Sequence, residues 1–359
     1  MKKIYYITAV FATLFLVGCG DGIDLPGVNV ETDLNKIPLP DNNVNLEQVE
    51  LKPSTKPMLH EGLHTEEDFQ RIRDKKAAGE EPWVSAYQLL VESQFSQKTA
   101  DTYPTEWIKR GVSGDENYMN AARGATIAYQ QALRWKIEQD DEYAAKAVEN
   151  LNKWVQTCVG VTGNTNLSLA AGLYGYEFAI AGELLRDYEG WDRADFAAFQ
   201  NWLLKVFYPA NDDFLKRHHD TNPLHYWANW CLCNIAAKMA IGIVTDRRDI
   251  YNEGIAHLQT GDTNGRLRRA IYHDYAPDYN FAQWQESGRD QGHTLMCVGL
   301  MGIICQLAWS QGDDFFAYDD NLFMRACEYA ACCNYTNETV PYTTYIWQKQ
   351  SQWGYPIPE

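Results

Sequence analysis

LRWKIEQDDEYAAKAVENLNKW, residues 133–154, is the stretch that decides the fold class. Two segments with apolar residues at intervals of three and four flank an acidic turn. In the second segment the apolar residues at this spacing are Ala145, Val148 and Leu151, and Val155 continues it one residue beyond the quoted stretch. Such intervals place the apolar side chains on one face of an α-helix, so the stretch predicts a helical hairpin.

Three further stretches repeat this pattern. They are ELLRDYEGWDRADFAAFQNWL, MAIGIVTDRRDIYNEGIAHL and LAWSQGDDFFAYDDNLFMRACEYA, beginning at residues 183, 239 and 307. No comparable run alternates with a period of two, as strands do. Repeated hairpins bury their apolar faces against neighbouring hairpins. We therefore predict an all-α fold, an α/α toroid or incomplete barrel. Upstream, Thr65 and Asp68 predict a capped helix that ends at Gly79.

The first 57 residues precede this array and predict export. Residues 1–18 combine two lysines, a short apolar run and Leu16-Val17-Gly18 before Cys19, which is typical of a lipoprotein signal peptide. Cleavage there would leave Cys19 lipidated and the protein anchored in the cell envelope, at the outer membrane, facing the periplasm or the surface. Residues 19–57 are rich in Pro, Asp and Asn and predict a flexible linker. Residues 58–359 form the predicted folded domain.

Charge and composition exclude several classes of protein. The net charge of −17 argues against binding nucleic acid through bulk electrostatics. The eight cysteines after Cys19 lie mostly in apolar helical runs, so we predict reduced thiols and no zinc site. Phosphate loops, nucleophile elbows and zinc-protease motifs are absent from the sequence. We predict no cofactor, no metal and no obligate protein partner. Positive charge is local, at KRHH (216–219) and RLRR (266–269).

TNPLHYWANWCLCN, residues 221–234, is the first stretch that could carry chemistry. Pro223 suits the first turn of a helix, and His225 and Asn229 would then lie four residues apart on one face. An imidazole and a carboxamide near a helix N-terminus form a site for an anion or a sugar. The alternative is that both side chains only satisfy backbone groups at the helix start.

QWQESGRDQGHT, residues 283–294, is the second such stretch. Arg289 and His293 are four apart, with Glu286 and Asp290 beside them, so the two cationic groups would share a helix face and the carboxylates would hold them. The helix dipole disfavours cations at this end unless an anion binds there. An ion-pair network without chemistry is the alternative.

Tryptophans fall into two groups. Trp135, Trp154 and Trp202 lie on apolar helical stripes and predict core packing. Others flank polar segments, where either core packing or stacking on sugars is possible; these are Trp227, Trp230, Trp284, Trp347 and Trp353.

These residue types suit one carbohydrate chemistry better than another. Hydrolysis needs two carboxylates across the scissile bond. β-Elimination from a uronic acid needs donors that neutralise the C6 carboxylate, a base for the C5 proton and an acid for O4. Asn, Arg, His and Tyr match the second list. Glu286 and Asp290 are only one turn apart, so they suit hydrolysis poorly.

At these strings the chain resembles a known group of enzymes. HYWANW, QWQESGRDQGHT and the later VPYTTY are similar to the alginate-lyase-type α/α toroid enzymes, with the closest resemblance to polysaccharide lyase family 38 of Bacteroides and a more distant one to polysaccharide lyase family 5. The resemblance covers residue 58 to the end. It implies β-elimination on a β-1,4-linked polyuronate, either glucuronan or mannuronate-rich alginate.

Residue by residue, the resemblance to family 5 is partial. Tyr226-Trp227 match its Tyr-Trp pair, and Arg289 matches its arginine. Pro223-Leu224 occupy the places of its Asn-His pair, and Met296 stands where it has a tyrosine. That tyrosine would be replaced by His293 or by one of Tyr342, Tyr345, Tyr174 and Tyr226. Related chains continue into a further helical segment, so the resemblance also implies a toroid that is short at its C-terminus.

Together these observations predict a lyase that acts on an anionic polysaccharide. His225, Asn229 and Arg289 would neutralise the substrate carboxylate, while His293 and a tyrosine, Tyr226 or Tyr342, would exchange protons. The predicted substrate-binding residues are Asn222, Trp227, Trp230, Trp284, Gln285, Glu286, Asp290 and Arg266. Two alternatives stay open: a non-catalytic surface glycan-binding lipoprotein and an α/α-barrel glycoside hydrolase.

Overall fold

A computed structural model of the chain describes residues 54–335 and 340–345. The predicted signal peptide, Cys19, most of the predicted linker, Trp347 and Trp353 lie outside the described residues. The described residues divide into two compact units. Unit 1 comprises Pro57–Asp212 and Ala237–Tyr251, and unit 2 comprises 54–56, Asp213–Ala236, 252–335 and 340–345.

Helices dominate both units. In chain order they are α1 (Glu66–Ala77), α2 (Trp83–Glu92), α3 (Tyr118–Glu138), α4 (Asp141–Thr157), α5 (Leu167–Leu184), α6 (Arg193–Val206), α7 (Tyr208–Arg217), α8 (Ala228–Val244), α9 (Arg248–Thr260), α10 (Leu267–Ala270), α11 (Gln291–Ser310) and α12 (Tyr318–Tyr335). Short 3-10 helices occupy Gln94–Ser96, His218–Asp220 and Gln285–Gly288.

Four short strands accompany the helices. In unit 1, β1 (Trp107–Arg110) pairs in parallel with β2 (Gly160–Gly163). In unit 2, β3 (Ile271–Asp274) pairs antiparallel with β4 (Ala282–Trp284). Strands of three or four residues are too short to show an alternating pattern, which explains why the sequence did not reveal them.

The cap predicted at Thr65 is confirmed, and two further helix starts carry caps that were not predicted. The Thr65 side chain caps α1 in a reciprocal capping box with Asp68, and Gly79 follows the helix end with φ of +69°. Asp140 caps α4 and Asp192 caps α6 through backbone N–H groups two residues on. These carboxylates satisfy donors that a helix leaves unpaired at its N-terminus.

All four predicted hairpins are present as consecutive helices: α3 and α4, α5 and α6, α8 and α9, and α11 and α12. In unit 1 the ring of Phe178 lies 5.3 Å from Trp154 and 5.1 Å from Trp202, and both tryptophans are buried. Trp135 differs from the prediction, because it is only half-buried and its indole N–H donates to Asp141.

Unit 1 also buries a carboxyl group on α5. Glu177 is 7% exposed, its Oε2 has no hydrogen-bond partner among the described residues, and burial raises its pKa from 4.5 to about 8. Nearby, His64 bonds to the Tyr129 hydroxyl at 2.6 Å, and burial lowers the histidine pKa to about 4. Both groups are therefore neutral at neutral pH.

We expect stability to fall as pH rises from about 6.5 to 8, because the folded chain keeps the Glu177 proton that the unfolded chain has released. The slope should approach about 1.4 kcal/mol per pH unit. Below about 6.5, protonation of His64 in the unfolded chain opposes this trend. Denaturant unfolding against pH measures the slope. Glu177→Gln should flatten it and the exposed Glu189→Gln should not; an unchanged slope in Glu177→Gln would contradict the assignment.

Candidate active site

The segment before α8 differs from the prediction. The Asn222 side chain accepts from Leu224 N at 2.9 Å, and His225 N donates to Asn222 O at 2.9 Å. These turn bonds compete with helix formation, and α8 begins only at Ala228. The predicted helix start at Pro223 is therefore wrong, and His225 does not share a helical face with Asn229.

Tyr226 and Trp230 belong to an aromatic cluster in unit 2. Their rings lie 4.6 Å apart, and the Phe214 ring is 5.2 Å from Tyr226. Tyr226 is 8% and Trp230 6% exposed. Both rings pack inside the protein, so their observed role is core packing, and the predictions of a catalytic Tyr226 and a sugar-stacking Trp230 stay predictions.

The 3-10 segment His218–Asp220 borders this cluster and has left-handed backbone at all three residues, with φ between 49° and 60°. Side chains other than Gly adopt this conformation at a cost of about 1–2 kcal/mol each. The His218 ring stacks on Phe214 at 4.5 Å, and the Thr221 hydroxyl donates to His218 O at 2.6 Å. These contacts hold the strained turn next to His225.

The second stretch also begins its helix later than predicted. β4 leads into the 3-10 turn Gln285–Gly288, Arg289 follows it, and Asp290 is the N-cap of α11. Arg289 therefore precedes the helix, and only His293 stands in its first turn. The predicted shared helix face of these two residues is wrong, although they remain neighbours along the chain.

Asp290 holds His293 at two points. Its Oδ1 accepts the His293 backbone N–H at 2.7 Å and its Oδ2 lies 2.6 Å from ring Nδ1. Burial alone would raise the pKa of Asp290, but these two bonds hold it below its usual value. The carboxylate favours the tautomer with hydrogen on Nδ1, which leaves the lone pair of a neutral ring on Nε2. The predicted orienting role of Asp290 has this geometry.

Arg289 is held by Glu286 and Trp227. Its Nη1 donates to Glu286 Oε2 at 3.0 Å, and its Cζ lies 5.1 Å from the Trp227 ring centre. Glu286 Oε1 also accepts the backbone N–H of Asn229 at 3.3 Å. The buried carboxylate thus connects the start of α8 to Arg289, as predicted for its orienting role.

Four residues that were predicted to contact the substrate are buried in this structure, and their contacts with it stay predictions. The Trp284 indole donates to Ala326 O at 3.0 Å, and Gln285 bonds to Ala228 N and to the Tyr345 hydroxyl. These side chains, together with Glu286, are at most 1% exposed. Asn229 is also 1% exposed, so a substrate carboxylate does not reach it in this structure. Trp284, Gln285 and Glu286 support the site from within through these bonds.

Gln283 is a residue that sequence reasoning missed. Its Oε1 accepts the Thr343 backbone N–H at 2.9 Å, and its Nε2 donates to Thr343 O at 2.9 Å. Nε2 also lies 2.8 Å from the Ser287 hydroxyl, and Tyr275 donates to Oε1. This fully buried amide attaches residues 340–345, and with them Tyr342 and Tyr345, to the turn that carries Arg289.

Replacing Gln283 with leucine should lower stability by about 2–3 kcal/mol, because the Thr343 peptide and the three hydroxyls of Ser287, Tyr272 and Tyr275 lose a buried partner. We also expect kcat to fall more than KM rises, since Tyr342 and Tyr345 lose their placement. Denaturant unfolding and steady-state kinetics measure both effects. Gln88→Leu on an exposed helix face is the matched control. Wild-type kcat in a folded Gln283→Leu variant would contradict this positioning role.

The structure thus brings most of the predicted polar residues to one part of unit 2. Contacts link Trp227, Arg289, Glu286, Gln285 and Tyr345, and Asp290 with His293 follows directly on Arg289. Tyr342 joins them through a hydrogen bond with Ser287. Asn222 and half-buried His225 lie just before Trp227 in the chain. Arg266, 8% exposed, is the N-cap residue of α10, and its predicted contact with the substrate stays a prediction.

The described residues hold no cluster of three or more His, Cys, Asp or Glu side chains suited to a metal ion. The eight cysteines after Cys19 are all described, and none forms a disulfide. Five of them are buried, as core thiols were predicted to be.

Residues 72–338 match the family model described as alginate lyase, which places the chain among the polysaccharide lyases. Because this match covers most of the chain, the chain belongs to the alginate lyase family. The predicted enzyme class is confirmed. The narrower assignment to polysaccharide lyase family 38 stays a prediction. A sequence comparison with curated proteins finds no match.

Solved structures agree in fold. A tyrosine-to-phenylalanine variant of alginate lyase A1-III from Sphingomonas species A1, complexed with a tetrasaccharide, has a TM-score of 0.54 at 13% identity, over 77% of this chain and 78% of its own. An alginate lyase from Bacteroides ovatus has a TM-score of 0.54 at 14% identity, over 75% and 82%. The predicted fold class, helical hairpins as in α/α toroid enzymes, is confirmed.

Proposed function

We propose that the chain cleaves a β-1,4-linked polyuronate, mannuronate-rich alginate or glucuronan, by β-elimination. The observation that carries this proposal is the Asp290–His293 pair next to Arg289 and near Tyr342, in a member of the alginate lyase family. A base, a cation and a phenol are the groups that this reaction requires.

Each group has one task in the proposed reaction. Arg289, assisted by half-buried His225 and Asn222, binds the C6 carboxylate, which makes the C5 proton more acidic. His293 Nε2 removes that proton. The electron pair of the broken C5–H bond forms the C4–C5 double bond as the C4–O4 bond breaks. Tyr342 donates its hydroxyl proton to O4 of the leaving chain. The products are a new hydroxyl end and a 4,5-unsaturated uronate.

The environments of the two proton carriers support this division. Burial raises the pKa of Tyr342 to about 12, so the phenol holds its proton at neutral pH and has one to donate to O4. The carboxylate of Asp290 stays ionised and stabilises a positive charge on His293, which suits the base role.

The test follows the ultraviolet absorbance of the conjugated unsaturated uronate. The full chain is mixed separately with polymannuronate, polyguluronate, glucuronan and pectate. We expect a rise with polymannuronate or glucuronan, and the preferred polymer identifies the uronic acid. Tyr342→Phe should lower kcat by about 10²–10⁴-fold. New reducing ends without the double bond would favour a hydrolase, and binding without cleavage would favour a glycan-binding protein.

We also propose that Cys19 is lipidated and holds the enzyme in the cell envelope. The signal pattern of residues 1–18 supports this placement. Incorporation of labelled palmitate into the full chain, and its loss in Cys19→Ser, is the expected result. Equal labelling of both proteins, or none in the unsubstituted chain, would overturn it.

A further inference from the structure

Unit 1 contains a buried arginine without a carboxylate partner. Arg110, the last residue of β1, is 4% exposed, and no side-chain hydrogen bond or ion pair of Arg110 occurs within residues 54–335 and 340–345. Its Cζ lies 4.6 Å from the centre of the Tyr118 ring. By contrast, buried Arg186 pairs with Glu183 at 2.8 Å, and Arg325 pairs with Asp274 at 2.6 Å.

The surroundings of Arg110 add positive potential, because α3 begins at Tyr118 with no acidic residue in its first turn. The N-cap side chain of Asn117 does not cap α3. It bonds instead to the backbone of β1, at Lys109 N (2.7 Å) and Trp107 O (3.0 Å).

A second helix begins at the same edge. The parallel register pairs Arg110 with Gly163, the last residue of β2, three residues before the Asn166 N-cap of α5. α5 also lacks first-turn acids and a side-chain cap. The Tyr118 ring stacks on Tyr174 of α5, with centres 6.5 Å apart and planes 13° apart. Two helix starts, one cation and two rings therefore converge at the carboxyl ends of β1 and β2.

We propose that this edge is a further binding site for a uronate residue of the polysaccharide. Arg110 pairs with the sugar carboxylate, N–H groups at the start of α3 donate to it, and the Tyr118 and Tyr174 rings hold Arg110 in place. The identity of the ligand rests on the proposed function. Glu116 lies in the adjoining loop, where its carboxylate accepts Gly111 N at 2.5 Å. This carboxylate would compete with the sugar carboxylate for the site.

The test measures calorimetric binding of mannuronate and glucuronate hexamers to the full chain carrying His293→Ala, so that the ligand is not cleaved. Adding Arg110→Gln should weaken hexamer binding at least about tenfold. Adding Arg110→Lys instead should give an affinity between those of the His293→Ala chain and the Arg110→Gln variant. Arg71→Gln, which removes an exposed charge in unit 1, is the control. If Arg110→Gln does not fold, Met119→Glu tests the same site by placing a carboxylate in the first turn of α3. It should raise the melting temperature and weaken hexamer binding.

Each outcome separates this site from the catalytic proposal. Cleavage by the unsubstituted chain, with hexamer binding unchanged by Arg110→Gln or Met119→Glu, would overturn the site and leave the lyase proposal standing. No cleavage, with binding that still depends on Arg110, would support the site and overturn the lyase proposal. Acetate or phosphate binding as tightly as the hexamers, and equally dependent on Arg110, would show a small-anion site and overturn the polysaccharide assignment.

Discussion

His293→Ala is expected to lower kcat by about 10²–10⁴-fold, with a much smaller change in KM, because the variant loses the base that removes the C5 proton. The measurement is the steady-state rate of unsaturated uronate formation on the preferred polymer. Asp290→Asn is the informative companion. Asparagine still caps α11, but its amide can donate to ring Nδ1 and so favour the tautomer with hydrogen on Nε2, which lowers kcat without loosening the helix.

His60→Ala provides the matched control, since His60 is an exposed histidine in unit 1 that pairs with Asp246 at 3.0 Å. It should keep the wild-type rate. Full activity of a folded His293→Ala variant would rule out His293 as the base. The tyrosines of segment 340–345 would then be the next candidates.

Arg289→Met should affect both activity and stability. Removing the cation that neutralises the substrate carboxylate should lower kcat/KM by about 10²–10³-fold. It also leaves Glu286, whose side chain is 0% exposed, without its charged partner. Breaking a buried pair from one side costs about 3–5 kcal/mol. Kinetics and denaturant unfolding measure the two effects separately.

The double variant Arg289→Met with Glu286→Gln distinguishes these effects. It should recover most of the lost stability, because no buried charge stays unpaired, and it should remain inactive. Arg71→Met, which breaks an exposed pair with Asp68, should cost less than about 1 kcal/mol. Recovery of lyase activity in the double variant would show that Arg289 acts only as a structural partner of Glu286.

Predictions from the sequence succeeded where the determining interactions are local. The hairpins follow from apolar spacing within single helices, and Thr65 caps the helix that directly follows it, as predicted. The pairs Asp290–His293 and Glu286–Arg289 are three residues apart, so their contacts could also be expected.

The predictions that failed have two causes. Side-chain bonds compete with helix formation, and some contacts join residues that are far apart in the sequence. The Asn222 side chain bonds its own backbone and delays α8, which separates His225 from Asn229. Gln283 pairs with a peptide 60 residues away, and no sequence period reports such a contact. Burial of Trp284 depends on α12 lying over it, so its composition alone did not separate core packing from sugar stacking.

Asp290 connects the start of a helix to proton transfer. One of its oxygens bonds the backbone of His293 and the other bonds the ring, so fraying of the first turn of α11 releases the imidazole at the same moment. Helix ends open far more readily than helix interiors. The enzyme should therefore lose activity on heating before unit 2 unfolds, and the temperature range of catalysis would be set by a single helix cap.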